Sequence, residues 1–349
     1  MSTSYQSAYP RFGHVALLCE GDVVGYEVSI LRRWLDRNLG TKPLVDLWPC
    51  GTGAAIFGVS DAIGRSRPIV VIEDRDYRSI DEARTETATK QARRAERGLR
   101  ILRWQTWRRN EIENYLVDPE IAAPCLASVF DCPADDVKAL LDGLLPALAV
   151  HQAFQRGFYR TRQTWSETDP SLALPNNLAL SPVWNDSTMQ AVSPSFDVAF
   201  QRFQKNVSTW RNRLATPSGV GQILAEVRSS YEQWCNPALT DRFWLEDWSG
   251  KDVLQWLRIT LAARFGWRDR LTGNRTKLVW AKLNRARRDE QDRPIEAELK
   301  PFLVRAFLEH LTALKSGELR DEWQAILAVF AAYRDQLSER SGWLPGLGE

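Results

Sequence analysis

The sequence is poor in the residues that build zinc centres and disulfide frameworks. Its 349 residues include only three histidines, His14, His151 and His310. There are five cysteines, Cys19, Cys50, Cys125, Cys132 and Cys235, and none forms a C-x-x-C pair. That argues against a zinc site and a disulfide-stapled fold. No apolar run approaches the length of a membrane-spanning helix, and the opening MSTSYQSAYPRF has no apolar signal-peptide core. The expectation is a soluble cytoplasmic protein with no membrane segment. The glycine turn CGTGAA (50–55) is not followed by Gly-Lys-Ser/Thr, so it is no nucleotide P-loop and the chain has no recognisable ATPase of its own. There is no internal repeat and no low-complexity tract. The net charge of +2 selects no class of partner.

The length allows two domains, and a hydrophobic content of 44% allows a sizeable core. Eleven of the fifteen tryptophans lie beyond residue 160, so the two halves differ in character. In the first half, apolar runs predict strands at 14–19 (HVALLC), 43–48 (PLVDLW), 68–73 (PIVVIE) and 99–104 (LRILRW). Between them, Val24, Val28, Leu31 and Leu35 are spaced for a helix over 23–37. A second helix opens at the glycine turn, and 79–97 is charged and helix-favouring. Another helix begins at Pro119. Alternating strands and helices predict an α/β fold with a mostly parallel, Rossmann-like sheet over 1–135. Residues 136–349 are expected to form a mainly helical domain, with helices at 134–150, 251–265, 276–289, 295–315 and 318–338. Residues 161–187, rich in Pro, Ser and Asn, read as an irregular insertion.

Parallel sheets place ligands at the carboxyl ends of their strands. Glu20, Gly51, Asp74 and Asp76 all fall at such ends. An extended chain would point Asp74 and Asp76 to one face, roughly 7 Å apart. In a 2-1-3 strand order, Glu20 ends the neighbouring strand. Glu111 and Glu113 follow the fourth strand; on a helix they would diverge by about 200°, and on an extended segment they would share a face. Clustered carboxylates repel one another unless a cation joins them, and all-oxygen ligation selects Mg²⁺ or Mn²⁺ over zinc. The bland alternatives are a capped strand-to-helix turn at Asp74 and Asp76 and an ordinary tight turn at Gly51 and Gly53.

Glu20-Gly21 after strand one, the Gly51-Thr52-Gly53 turn and Asp74-Arg75-Asp76 after strand three resemble the TOPRIM domain of topoisomerases, bacterial primases and OLD-family nucleases. RRNEIENYLVDPE (108–120) and WSGKDVLQWL (248–257) narrow the resemblance to an OLD-like group that includes the effector nuclease of the PARIS anti-phage system. The resemblance covers roughly residues 12–130, and beyond them only 248–257. It implies a Mg²⁺- or Mn²⁺-dependent nuclease cutting tRNA or DNA, a toxic defence effector controlled by a separate ABC-type ATPase, and a homodimer. Glu20 matches the TOPRIM glutamate, a metal ligand or general acid/base. Asp74 and Asp76 match the metal-binding D-x-D, and Glu113 the later acidic ligand. Three and four residues after the glutamate, where OLD-type proteins often carry a second acid, stand Val23 and Val24. Asp22 and Glu27 are nearby replacements.

Residues 84–109 hold nine lysines and arginines with Trp104 and Trp107 interleaved. A basic stretch beside a carboxylate site suits a phosphodiester substrate. Arg75, Arg94, Arg97, Arg108, Arg109 and Lys251 are the candidate nucleic-acid contacts. The plainer reading is a solvated helix face, with Lys251 bracing a helix. A second basic stretch spans 275–288. Two rival functions remain: a non-catalytic TOPRIM-derived scaffold that binds nucleic acid or an ATPase, and a primase-type nucleotidyl transferase, against which the missing zinc-binding cysteines count. Tyr77 and Tyr115 lie near the site without a topoisomerase context.

Overall fold

The structure, a computed structural model, describes residues 15–39, 44–168, 201, 217–234, 243–268, 275–276 and 285–341. By contacts the chain divides into two units. The first comprises Met1–Arg75, Ser79–Arg108 and Val304–Glu349; the second comprises Asp76–Arg78 and Arg109–Leu303. Residues 135 and 136 thus both fall within the second unit.

The first unit is built on a four-stranded sheet of β1 (Val15–Cys19), β2 (Val45–Pro49), β3 (Ile69–Glu73) and β4 (Ile101–Thr106). The strand order is β2-β1-β3-β4 and every pairing is parallel. The runs VALLC and IVVIE, apolar but for the terminal Glu73, are buried at every position and occupy the two central strands, as strands covered on both faces require. The flanking strands β2 and β4 are only partly buried.

Helices α1 (Tyr26–Leu39), α2 (Gly53–Ile63) and α3 (Ile80–Glu96) connect the strands. Thr52 Oγ1 caps α2 by accepting the Ala55 N–H. Ser79 and Glu82 form a reciprocal capping box on α3. One core layer joins Ala16, Leu18, Ile56, Ile69, Val71 and Trp104. Helix α1 starts later than its spacing predicts. Gly25 N–H donates to Asp22 O at 2.7 Å, which closes a turn and leaves Val23 and Val24 exposed at its tip. The last described helix also belongs to this unit; its Trp323 stacks on Trp107 with centroids 5.0 Å apart and meets Trp34 edge-on at 4.8 Å.

The described part of the second unit is mostly helical: α4 (Glu113–Leu116), α5 (Pro119–Phe130), α6 (Ala134–Thr168), α7 (Pro217–Trp234), α8 (Trp244–Asp247) and α9 (Gly250–Phe265). A two-stranded antiparallel ribbon, β5 (Trp267–Arg268) with β6 (Arg275–Thr276), follows. Helix α10 (Arg285–Ala313) crosses from the second unit into the first, which α11 (Glu318–Ser341) ends. Helices α6 and α7 pack closely where Gly157 faces Val227; a Cβ at Gly157 would lie 2.9 Å from Val227 N.

Three expectations change. Residues 161–168 continue α6 instead of opening an irregular segment; no proline or glycine stands between Gly157 and Pro170. The rest of that segment, 169–187, lies outside the described residues, as do 277–284 of the second basic stretch. Residues 285–289 and 295–313 belong to one helix, although Pro294 and Pro301 lie inside it. A helix-interior proline costs about 3 kcal/mol. Burial of Ile295, Leu299, Leu303 and Phe307 at four-residue spacing offsets that cost.

Candidate functional site

Strand β1 delivers Glu20 to the carboxyl end of the sheet. Its neighbours deliver the Cys50–Gly53 turn and Asp74, because Cys19 is level with Pro49 on one side and Ile72 on the other. The 2-1-3 order expected from the sequence is therefore the order observed. Side-chain parity separates the two acids. Glu20 follows Ala16 and Leu18 onto the α2 face, and a Cβ at Gly53 would lie 3.1 Å from Glu20 Oε1. Asp74 follows Val70 and Ile72, out of phase with Ile69 and Val71 on that face. Glu73, in phase with Ile69 and Val71, is buried against Lys90, whose Nζ lies 2.8 Å from Glu73 Oε2.

Glu27 is a buried brace for the Glu20-Gly21 turn. It accepts the Gly21 N–H at 2.6 Å and the Trp107 indole N–H at 3.0 Å. A Cβ at Gly21 would lie 2.8 Å from Glu27 Oε2, which accounts for glycine there. Burial, reinforced by the Glu27 carboxylate, pushes the Cys19 thiol well above its ordinary value. Burial likewise pushes Cys50 up to about 11. Neither thiol is a nucleophile at neutral pH.

The boundary between the units runs through Asp74-Arg75-Asp76. The chain is not extended there: Asp76 has φ 52° and Tyr77 φ 62°. Two consecutive non-glycine residues in the left-handed region carry strain of about 1–3 kcal/mol each. Asp74 and Asp76 therefore do not share a strand face as an extended chain would dictate. The turn is pinned within the second unit. Tyr77 N–H donates to Asn110 Oδ1, and Tyr77 OH lies 3.2 Å from Gln152 Oε1. Gln152 Oε1 also accepts the Ser249 N–H at 2.9 Å, and Gln152 Nε2 donates to Asp252 at 3.1 Å. Burial, then the Asp252, Glu111 and Asp76 carboxylates, raise the Tyr77 phenol well above its ordinary value, so Tyr77 keeps its proton. Asn110 and Gln152 were invisible as functional residues in the sequence, because neither stands in a recognisable motif.

The two separated motifs of the second unit interlock. Asn114 is fully buried; its Nδ2 donates to Trp248 O at 2.8 Å. Its Oδ1 accepts the Glu111 N–H at 2.9 Å and the Gly250 N–H at 3.1 Å. Glu111 Oε2 accepts from Ser249 Oγ at 3.0 Å and from Lys251 N at 3.1 Å, so it caps α9. Lys251 Nζ stands 3.6 Å from Glu111 and 4.0 Å from Glu113. Glu113 opens α4, yet both acids reach the same ammonium. Burial raises the Glu111 carboxyl to about 7; Lys251 opposes the shift and Glu113 adds to it.

Most of the candidate basic contacts are engaged within the protein. Arg94 is buried over Phe57 and Trp104, with its centre 4.5 Å from each ring, and pairs with Asp61. Arg97 donates to both Asp61 oxygens. Arg108 pairs with Glu318 at 2.6 Å. Arg109 pairs with Asp118 at 3.1 Å and donates to Asn114 O. Arg75 is buried. Only Arg97 and Lys251 of the six have side chains more than half exposed. Of the exposed arginines of the 84–109 stretch, Arg93, Arg97 and Arg100 lie at the amino end of the sheet, opposite Glu20 and Asp74, while Arg84 stands near the start of α3. A crossover helix must return the chain to the start of the next parallel strand, so its last turn cannot flank the carboxyl end.

Among the described residues, no three His, Cys, Asp or Glu side chains are gathered closely enough to enclose a metal ion. The residues present do not form a closed cage. Mg²⁺ held by one or two carboxylates, with waters and substrate phosphates completing the shell, requires none. Among the described residues, no helix is long and apolar enough to cross a membrane. No known protein family, curated protein or solved structure matches the chain.

Proposed function

We propose that the chain is a TOPRIM-type nuclease that hydrolyses phosphodiester bonds of tRNA or DNA. The observation that carries this reading is the strained Asp76-Tyr77 turn immediately beyond Asp74 at the end of β3. Such strain persists where the surroundings over-determine it, and it concentrates at functional positions. Glu20 at the end of the adjacent strand supports the reading.

A bound Mg²⁺ or Mn²⁺ supplies charge stabilisation and a water acidified for attack. By resemblance Asp74, Asp76 and Glu113 are the acids that would hold it. Glu20 is proposed to give or take the proton at the reacting oxygens. Glu27 keeps the Glu20 turn in place. By resemblance the nuclease is a toxic anti-phage effector, a homodimer held or triggered by a separate ABC-type ATPase.

The test compares the wild-type protein with Asp74→Asn. Each is incubated with tRNA, single-stranded DNA and plasmid, in Mg²⁺, Mn²⁺ or EDTA, alone and after co-expression with an ATPase encoded beside it. Cleavage that requires the metal and drops by about 10²-fold or more in the variant is expected. Equal behaviour of the two proteins in every arm, including cell killing under phage challenge, sinks the reading. It would leave the non-catalytic scaffold, whose support is Val23 and Val24 standing where OLD-type proteins often carry a second acid.

A further inference from the structure

A cavity of about 620 Å³ opens in the first unit along β4, between α3 and α11. That is the size of a small-ligand pocket. Arg75, Arg84, Arg103 and Arg108 all line it. Arg108 is taken by Glu318. Arg103 is different: its Nε donates to Gln105 Oε1 at 2.7 Å, and among the described residues no carboxylate comes within 4.0 Å of it. Burial lowers its pKa from the ordinary value, with Glu322 opposing. A partly desolvated guanidinium without an anion is unfavourable, and a planar fork of donors matches a phosphate.

The strand itself adds donors. β4 is the sheet's edge, and Trp107 N–H donates to Glu73 O. Odd-numbered amides therefore face β3 and even-numbered ones face outward. The outward Trp104 N–H is met by Gln91 Oε1 at 3.2 Å. Thr106 shares that outward phase. Its N–H, and not the buried Oγ1, is therefore the donor on the cavity edge that Thr106 lines. Glu318, Asp321 and Glu322 form another wall. Four guanidinium groups and three carboxylates line the cavity, and Asp81 stands 3.9 Å from Arg84 at its exposed edge, a balance that disfavours a polyphosphate. The carboxylates would accept from amino and hydroxyl groups of a nucleoside.

We propose that this cavity binds a nucleoside monophosphate unit, its phosphate held by Arg103, Arg84 and the Thr106 N–H. The unit is either a free nucleotide or the phosphorylated end of a nucleic-acid strand. The proposal goes beyond the nuclease reading and needs no cleavage. Calorimetric titration in EDTA tests it with adenosine 5′-monophosphate, adenosine and a 5′-phosphorylated tetranucleotide. Saturable binding of a phosphorylated probe and none of adenosine is expected. Arg103→Met should weaken binding about ten- to a hundredfold. Arg84→Ala, at a side chain 73% exposed, gives a second variant should the first not fold. Binding of the mononucleotide identifies a free-nucleotide site. Binding of the tetranucleotide alone identifies a strand-end site. No saturable binding of either, or affinities unchanged in the folded variants, overturns the proposal.

Discussion

The side-chain oxygen of Asn114 accepts the backbone N–H of Gly250, 136 residues further along the chain. The same oxygen serves Glu111, and the amide nitrogen serves Trp248. A Cβ at Gly250 would lie 2.6 Å from the Glu113 carbonyl carbon and 2.7 Å from Asn114 Oδ1. Gly250→Ala should therefore destabilise the protein by about 1–3 kcal/mol despite alanine's better helix propensity. Urea denaturation measures it, and an unchanged midpoint contradicts the interlock.

Glu27 serves two donors. In Glu27→Ala the Gly21 N–H and the Trp107 indole N–H, both inside the first unit, lose their acceptor. Each unsatisfied buried donor costs about 1–3 kcal/mol. Loss of stability should accompany loss of any Glu20-dependent activity. A Glu27→Gln variant keeps an acceptor oxygen and should recover part of both. If Glu27→Ala melts like the wild type, the brace does not exist.

At Asp76 the backbone φ of 52° penalises alanine and spares glycine. Asp76→Gly should be more stable than Asp76→Ala by about 1 kcal/mol, the reverse of the order on a helix. Equilibrium denaturation of the pair decides it; alanine equal to or better than glycine would refute the turn.

The thiol of Cys50, held up at about 11 by burial, compares with an ordinary value of 9.0. A raised thiol stays protonated through neutral pH and becomes thiolate only as pH passes the shifted value. At pH 8 it should alkylate about a hundredfold more slowly than an unperturbed cysteine. Site-resolved mass spectrometry of iodoacetamide labelling measures this, and labelling at the free-thiol rate would exclude the shift.

The strand runs VALLC and IVVI determined by themselves that two central parallel strands exist, because strands covered on both faces are apolar at every position. With the glycine turn between them, they also put Glu20 and Asp74 at carboxyl ends, since those acids follow the runs. The conformation of Asp76-Tyr77 was not legible, because Asn110 and Gln152 impose it from far along the chain. Nor could Glu27 be told from a candidate ligand until Trp107, 80 residues away, claimed its second oxygen. The arginines of 84–109 read as one basic face. Helix return placed Arg93, Arg97 and Arg100 at the wrong end of the sheet, and Asp61, Glu318 and Asp118 neutralised others. Local periodicity and turn chemistry are short-range and sequence carries them. Pairing, strain and the availability of a charge depend on groups that only folding brings within a few ångströms, and those the tertiary structure decided.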